Sequence, residues 1–137
     1  KRKAEVLEEV KHDGHTLQGA PEDLKGDREV VLAAVQQSGL AIRHAANGCK
    51  YDREIVLAAV KRGCLAMKYI HESFRADREL LLAAQLHQPD VLYFAADSVR
   101  SDREFMLNAI ERSRDALEYA ADEFLEDSSF APDAKMD

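Results

Sequence analysis

Four Asp-Arg-Glu triplets are the residues of this sequence with the clearest capacity for chemistry. They recur every 25 residues without an insertion, and each is followed by large apolar residues and then small ones. A guanidinium between two carboxylates could hold an anion or take part in proton transfer. Because the carboxylates already neutralise each arginine, a structural charge ladder is favoured over a row of anion sites. The acid–base pairs of the four triplets are Asp27, Arg28, Asp52, Arg53, Asp77, Arg78, Asp102 and Arg103.

The aspartate of each triplet is also a signal for the start of a helix. An aspartate side chain accepts hydrogen bonds from the unpaired amides of the first turn, which is worth about 1 kcal/mol relative to alanine. The glutamate two positions later lies near the positive end of the helix dipole. The triplets are therefore predicted to be helix caps and ladder residues, and we expect no catalytic residue among them.

Other reactive side chains are sparse. The cluster formed by His44, Cys49, Cys64 and His71 has no compact Cys-x-x-Cys spacing, so we expect no metal site and two reduced thiols. No nucleophile elbow, phosphate loop or glycine-rich dinucleotide turn occurs in the sequence. We accordingly expect no cofactor and no enzymatic activity.

The 25-residue period divides the chain into repeats. Four repeats carry the triplet, and residues 1–26 fit the same apolar pattern without it, so they are predicted to be a degenerate capping repeat. Residues 127–137 are either a tail or the stub of a further repeat. The four regular repeats are 27–51, 52–76, 77–101 and 102–126.

Each repeat is predicted to contain a long helix, a short break and a shorter second helix. In the repeat 52–76, the apolar positions of the long helix span too wide an arc for packing on one side. The apolar face of one continuous second helix is predicted to comprise Ala66, Met67, Tyr69, Ile70 and Phe74. Since neither helix can bury its apolar surface within one repeat, the repeats must stack. The predicted fold is an all-α solenoid of about five two-helix repeats, of either hand.

The pattern Asp-Arg-Glu-Val-Val-Leu-Ala-Ala-Val, followed by Gly-Leu-Ala-Ile and an alanine-rich segment, resembles the family called domain of unknown function 4116. The resemblance covers residues 27–126 and weakens in the repeat 77–101, where Gln85 replaces valine and Pro89-Asp90 replaces Gly-Leu. It implies tandem helical repeats and no particular activity.

One row of equivalent positions is predicted to face solvent: Arg43, Lys68, Tyr93 and Glu118. The charge of this row changes sign along the chain. Residues 52–76 carry five basic and three acidic residues, whereas residues 102–126 carry three basic and eight acidic ones. This polarity is either drift on solvated faces or complementarity to a protein partner. The candidate partner surface comprises Arg43, Lys61, Arg62, Lys68, Leu86, Tyr93, Glu118, Asp122 and Glu123.

Leu86 has two interpretations. Its equivalents in neighbouring repeats are polar, so it could be an exposed apolar spot for a partner. The favoured alternative is that Gln85 and Leu86 exchange roles through a change of helix register, which would bury Leu86.

The net charge of −7 argues against nucleic-acid binding, and no apolar run is long enough to span a membrane. We expect a soluble protein of a reducing, intracellular compartment, with an organelle or secretion as an effector left open. The predicted function is to bind or assemble with another protein on one curved face. The alternatives are an accessory subunit of a large complex, part of a larger secreted effector, or an RNA-binding repeat protein.

Overall fold

All regular structure in the described part of the chain is helical. The computed structural model describes residues 2–121 and 124, and no β-strand occurs among them. The α-helices are α1 (Lys3–His12), α2 (Glu22–Lys25), α3 (Arg28–Gln37), α4 (Arg53–Arg62), α5 (Arg78–Gln85), α6 (Asp97–Arg100) and α7 (Arg103–Arg112). The 3₁₀ helices are η1 (Gly14–Gly19), η2 (Gly39–His44), η3 (Asn47–Tyr51), η4 (Cys64–Lys68), η5 (Glu72–Ala76), η6 (Pro89–Phe94) and η7 (Arg114–Tyr119).

The chain forms two compact units, Lys1–Phe74 and Arg75–Asp137. In the first unit the long helices α1, α3 and α4 pack in chain order, with α3 between the other two. In the second unit α5 packs against η6, and α7 packs against α6 and η7. The prediction of an all-α fold built from tandem repeats is confirmed.

The long helices begin where the triplets predict, because each aspartate accepts backbone hydrogen bonds. Asp27 Oδ1 accepts from the amides of Glu29 and Val30 at 3.0 and 3.2 Å, and Asp52 caps α4 in the same way. Asp77 and Asp102 each accept at 3.0 Å from the amide three residues later. Each of these bonds satisfies a donor that has no partner within its helix.

The core is made by four positions that recur in the long helices. Val30, Val31, Ala34 and Val35 of α3 are fully buried, and their equivalents in α4 are buried as well. Adjacent buried pairs on successive turns cover a broad arc, which suits a helix with neighbours on both sides. The leucine next to this arc in each helix is half-buried, so one side of the helix faces solvent.

The second helix differs from the prediction. The long helices α1, α3 and α4 are each followed by two short helical segments rather than by one continuous helix. Between them the chain becomes extended, as at Ala45 and Ala46, and the Ala46 amide donates to the Lys25 carbonyl of the preceding repeat at 2.9 Å. A residue in a continuous helix would bond within that helix, so the break allows one repeat to bond to the next.

Gly39 occupies a position of close approach. A Cβ added to Gly39 would overlap the carbonyl oxygen of Ala59 near the end of α4, and Gly14 is related to Ala34 in the same way. Neither glycine has a positive φ, so contact distance rather than backbone conformation explains the residue type. These glycines allow the start of a 3₁₀ helix to lie against the end of the next long helix.

Candidate interaction surface

The arginines of the triplets link successive repeats within each unit. Arg28 Nε lies 3.0 Å from Asp52 Oδ2, and its terminal nitrogen contacts Glu54 as well. In the second unit, Arg78 Nε lies 2.8 Å from Asp102 Oδ2. Each aspartate therefore caps its own helix with one oxygen and receives a cation with the other. The arginines are occupied by protein carboxylates, which leaves little charge to attract an anion.

Lys3 extends this ladder into the first repeat, which the sequence analysis missed. It lies 25 residues before Arg28, and its Nζ is 3.2 Å from Asp27 Oδ2 and 2.8 Å from Glu29 Oε1. The missing triplet concealed it, although the repeat period places a cation at this position. Residues 1–26 thus have a cation at the arginine position of the triplet but no acid at the aspartate and glutamate positions.

The ladder shifts the titration of its members. Burial acts to raise the pKa of Asp27, but the Val30 amide and Lys3 outweigh it and hold the pKa below the ordinary value. The hydrogen bond from the Phe105 amide, assisted by Arg78, lowers the pKa of Asp102. The hydrogen bond to Glu29, then that to Asp27, raises the pKa of Lys3. Lys3, Asp27 and Asp102 are therefore charged at neutral pH.

The solvent-facing side of α1 and α3 forms an open groove of about 500 Å³. Its apolar floor comprises Leu7, Leu32 and Ala33, and its rim comprises Lys11, Arg28, Glu29 and Gln36. The floor leucines recur in every repeat, and all of them are half-buried: Leu7, Leu32, Leu57, Leu82 and Leu107. We call this surface the helix-face groove.

In the first unit, the predicted surface residues fall on two kinds of element. Lys61 and Arg62 lie near the end of α4, where Arg62 reaches the Gln37 carbonyl at 3.4 Å. Arg43 and Lys68 are exposed on η2 and η4, two 3₁₀ helices that pack together. The four predicted residues of this unit therefore lie on elements of two different kinds, an α-helix and two 3₁₀ helices.

The predicted surface residues of the second unit are exposed where the structure describes them. Tyr93 on η6 is 64% exposed, and Glu118 on η7 is exposed as well. The two 3₁₀ helices pack together, with the rings of Tyr93 and Tyr119 6.4 Å apart. Among the predicted ladder residues, Arg53 of the first unit and Arg103 of the second are exposed at the starts of α4 and α7. Asp122 and Glu123 lie outside the described residues, as does the segment 127–137.

The predicted exchange of Gln85 and Leu86 is wrong. Gln85 is 3% exposed and Leu86 is 68% exposed, so the helix keeps its register and the polar side chain is buried. The buried position is maintained because Gln85 Nε2 donates to the Ala109 carbonyl at 2.9 Å. The other interpretation, an exposed apolar residue one helical turn after Leu82, is the one that the structure supports.

The histidines and cysteines do not assemble into a metal site in the described chain. Among residues 2–121 and 124, no group of three or more histidine, cysteine or acidic side chains could hold an ion. Burial lowers the pKa of His44, with a further contribution from Arg43, and the His44 ring packs edge-on against His15 at 5.8 Å. Burial also raises the pKa of the Cys49 thiol, which makes it a poor nucleophile at neutral pH.

The stacked helices and the ladder define a helical-repeat protein. The sequence matches the family described as domain of unknown function (DUF4116) over residues 6–47, 52–86 and 86–125. The chain belongs to this family, since the matches cover most of its length, and the predicted resemblance is confirmed. The first match begins at residue 6, so it includes residues of the degenerate repeat. Curated proteins and solved structures yielded no match.

None of the helices in the described residues is long and apolar enough to cross a membrane.

Proposed function

We propose that this chain is a non-enzymatic module that binds another protein through the helix-face groove. The observation that carries the proposal is the groove over α1 and α3, which combines an apolar floor with a rim of both charge signs. Protein interfaces commonly have this composition, with apolar contacts at the centre and polar groups around them. A linear segment of a partner would place apolar side chains on Leu7, Leu32 and Ala33.

The recurrence of the floor supports the same function. Half-buried leucines and small residues follow each other at the same positions of α3, α4 and α5, so the binding surface is repeated along the chain. Repeat proteins typically bind extended segments with such surfaces. Leu86 enlarges the apolar area of the second unit, one helical turn beyond Leu82.

A substitution in the groove floor tests the proposal, and the repeats provide its design. Glu8 and Asn108 occupy the position of Ala33 in other repeats, so Ala33→Glu is compatible with the fold. The carboxylate would place a charge in the groove, and we expect at least about tenfold weaker retention of the bound protein. Gln18→Glu adds the same charge at an exposed position of η1 and is the control.

The experiment compares proteins captured in stoichiometric amounts by the wild type and by the two variants. A protein retained by the wild type and by Gln18→Glu, but released by Ala33→Glu with an unchanged melting temperature, supports the proposal. Equal retention by all three would place binding elsewhere. Captured material that is nucleic acid, with affinity falling by orders of magnitude as salt rises, would overturn the proposal.

A further inference from the structure

The junction between the second and third repeats departs from the repeat pattern at four positions. Tyr51 stands where other repeats have no aromatic residue: Gly26, Ala76, Ser101 and Glu126. Ile70 stands where they have Ala20, Ala45, Ala95 and Ala120, and His71 where they have Pro21, Ala46, Ala96 and Ala121. Asn47 has acidic equivalents: Glu22, Glu72 and Asp97. Four changes at one junction raise the question of whether they act together.

All four side chains line one cavity of about 240 Å³, together with Lys50 and Tyr69. The cavity lies entirely within the unit Lys1–Phe74. Because the four substituted side chains meet at one place, their changes alter one and the same surface.

The backbone at this junction opens to accommodate the larger side chains. The amide of His71 lies 3.4 Å from the Lys50 carbonyl, whereas the equivalent bonds measure 2.9, 2.8 and 3.1 Å. The 3₁₀ helix η4 also ends one residue early, and Tyr69 adopts φ −115° and ψ 4° at its end. The close contact that alanines make elsewhere is relaxed here, and the cavity occupies this region.

The aromatic groups of the cavity are accessible and oriented. The rings of Tyr51 and His71 lie 4.6 Å apart at an interplanar angle of 32°. Tyr51 is 59% exposed and Tyr69 is 36% exposed. The Ser73 amide lies 3.2 Å from Nδ1 of His71, and since an amide can only donate, Nδ1 accepts and the neutral ring carries its proton on Nε2. His71 therefore retains a hydrogen-bond donor.

The charge of the cavity is unbalanced by the loss of an acid. In the first repeat, the equivalent lysine, Lys25, pairs with Glu22 at 3.3 Å. At the cavity that acid is replaced by Asn47, and no carboxylate is among the lining residues. The lining instead presents an ammonium group, an imidazole N–H, two phenol groups and an amide. These groups match an anion that also has a planar face.

We propose that this cavity binds a small organic anion in which a phosphate or carboxylate is attached to an aromatic ring. Lys50 and the imidazole N–H bind the oxyanion, and the tyrosine rings contact the planar group. This site is distinct from the helix-face groove, and neither proposal depends on the other.

The test is a titration of the whole chain with phenyl phosphate and with benzoate, followed by NMR of the tyrosine and histidine ring signals. We expect saturable shifts at Tyr51, Tyr69 and His71 with a dissociation constant of about 1 mM, as suits a ligand of this size. Phenol and inorganic phosphate, each carrying half of the ligand chemistry, are expected to bind at least about tenfold more weakly. Inorganic phosphate that binds as tightly as phenyl phosphate would overturn the role of the ring.

Two variants keep the proposal falsifiable. Lys50→Gln removes the cation, and Lys25→Gln is its matched control at the equivalent position; we expect about a tenfold loss of affinity in the first only. Tyr51→Ser combined with Ile70→Ala and His71→Ala restores residues found in other repeats, so it should fold and lose binding. No saturable shift with either ligand up to about 20 mM, or binding unchanged in both variants, would overturn the proposal.

Discussion

The two units differ in the group that contacts a carbonyl near the end of a long helix. In the first unit, Gly39 lies directly against the Ala59 carbonyl, which is possible only because glycine has no side chain. In the second unit, Pro89 takes the place of that glycine in the repeat, and the Gln85 side chain donates to the equivalent Ala109 carbonyl. A backbone contact in one unit is thus matched by a side-chain hydrogen bond in the other.

The comparison shows that a repeat can lack the glycine when a side chain donates a hydrogen bond to the equivalent carbonyl. The replacement has a cost, since Gln85 Oε1 is buried without a hydrogen-bond partner in the described chain. An unsatisfied buried carbonyl oxygen costs about 1–3 kcal/mol. The glycine contact is therefore expected to be the more stable of the two arrangements.

The largest effect is expected for Gly39→Ala. The added Cβ would overlap the Ala59 carbonyl, which is backbone and cannot move aside, so we expect a loss of about 3 kcal/mol in the free energy of unfolding. Chemical denaturation followed by circular dichroism measures this loss. Gly48→Ala is the control, because no atom lies within 4 Å of the added Cβ. Equal losses in the two variants would show that close approach is not the reason for glycine.

Exchanging the residues of the two units at this position should change stability by different amounts. Val35 of α3 is equivalent to Gln85. Val35→Gln would bury an amide at a place where Gly39 already covers the Ala59 carbonyl, so the free energy of unfolding should fall by about 2 kcal/mol. Gln85→Val removes one hydrogen bond together with the unsatisfied oxygen, so stability should change by less than about 1 kcal/mol. The same denaturation measurements apply. A large loss in Gln85→Val would mean that the side-chain bond is essential to the second unit.

The ladder should contribute less, and unequally in the two units. Arg28 contacts two carboxylates and Arg78 is paired with Asp102, but these groups are partly exposed, so each alanine variant should lose at most about 1 kcal/mol. We expect the larger loss for Arg28→Ala. Raising the salt concentration from about 0.05 to about 0.5 M should reduce both losses, because salt screens exposed pairs. Losses that do not change with salt would argue against an electrostatic origin.

The smallest effect concerns pH and the first repeat. The pKa of Asp27 is depressed in the folded state, so its contribution is present above the ordinary pKa of 3.8 and is lost as the pH falls through the lower folded value. Lys3→Ala removes a cation that sustains this depression. The stability difference between wild type and Lys3→Ala, measured by thermal unfolding, should therefore shrink as the pH falls from about 6 to about 3. A difference that grows on acidification would contradict the assigned pair.

Much of the architecture could be predicted because it depends on local signals. A capping aspartate, a set of apolar positions and a constant period are sufficient to predict helices that stack, and the period also contains the Lys3 position that was overlooked. The broken second helix could not be predicted from its apolar pattern. Its extended break exists because Ala46 bonds to the Lys25 carbonyl in another repeat, and such a partner is not visible in the local sequence.

The candidate surfaces show the same limit. The exposure of Arg43, Lys68 and Tyr93 follows from the repeat pattern. Hydrophobicity alone ranks Leu86 above Gln85 as a buried residue. The order is reversed because the helix register is held by the residues around it and because the Ala109 carbonyl accepts a bond from the glutamine.

By itself, the sequence determined the helical class, the 25-residue period, the helix starts and the family. These properties arise from side chains that act on their own helix, or from apolar faces that must pack against another helix. Only the tertiary structure decided which residues meet between repeats: Lys3 with Asp27, Gly39 with Ala59, and Tyr51 with His71. Such contacts join residues about 20–25 positions apart, and their geometry depends on the packing of backbones rather than on the residue types alone.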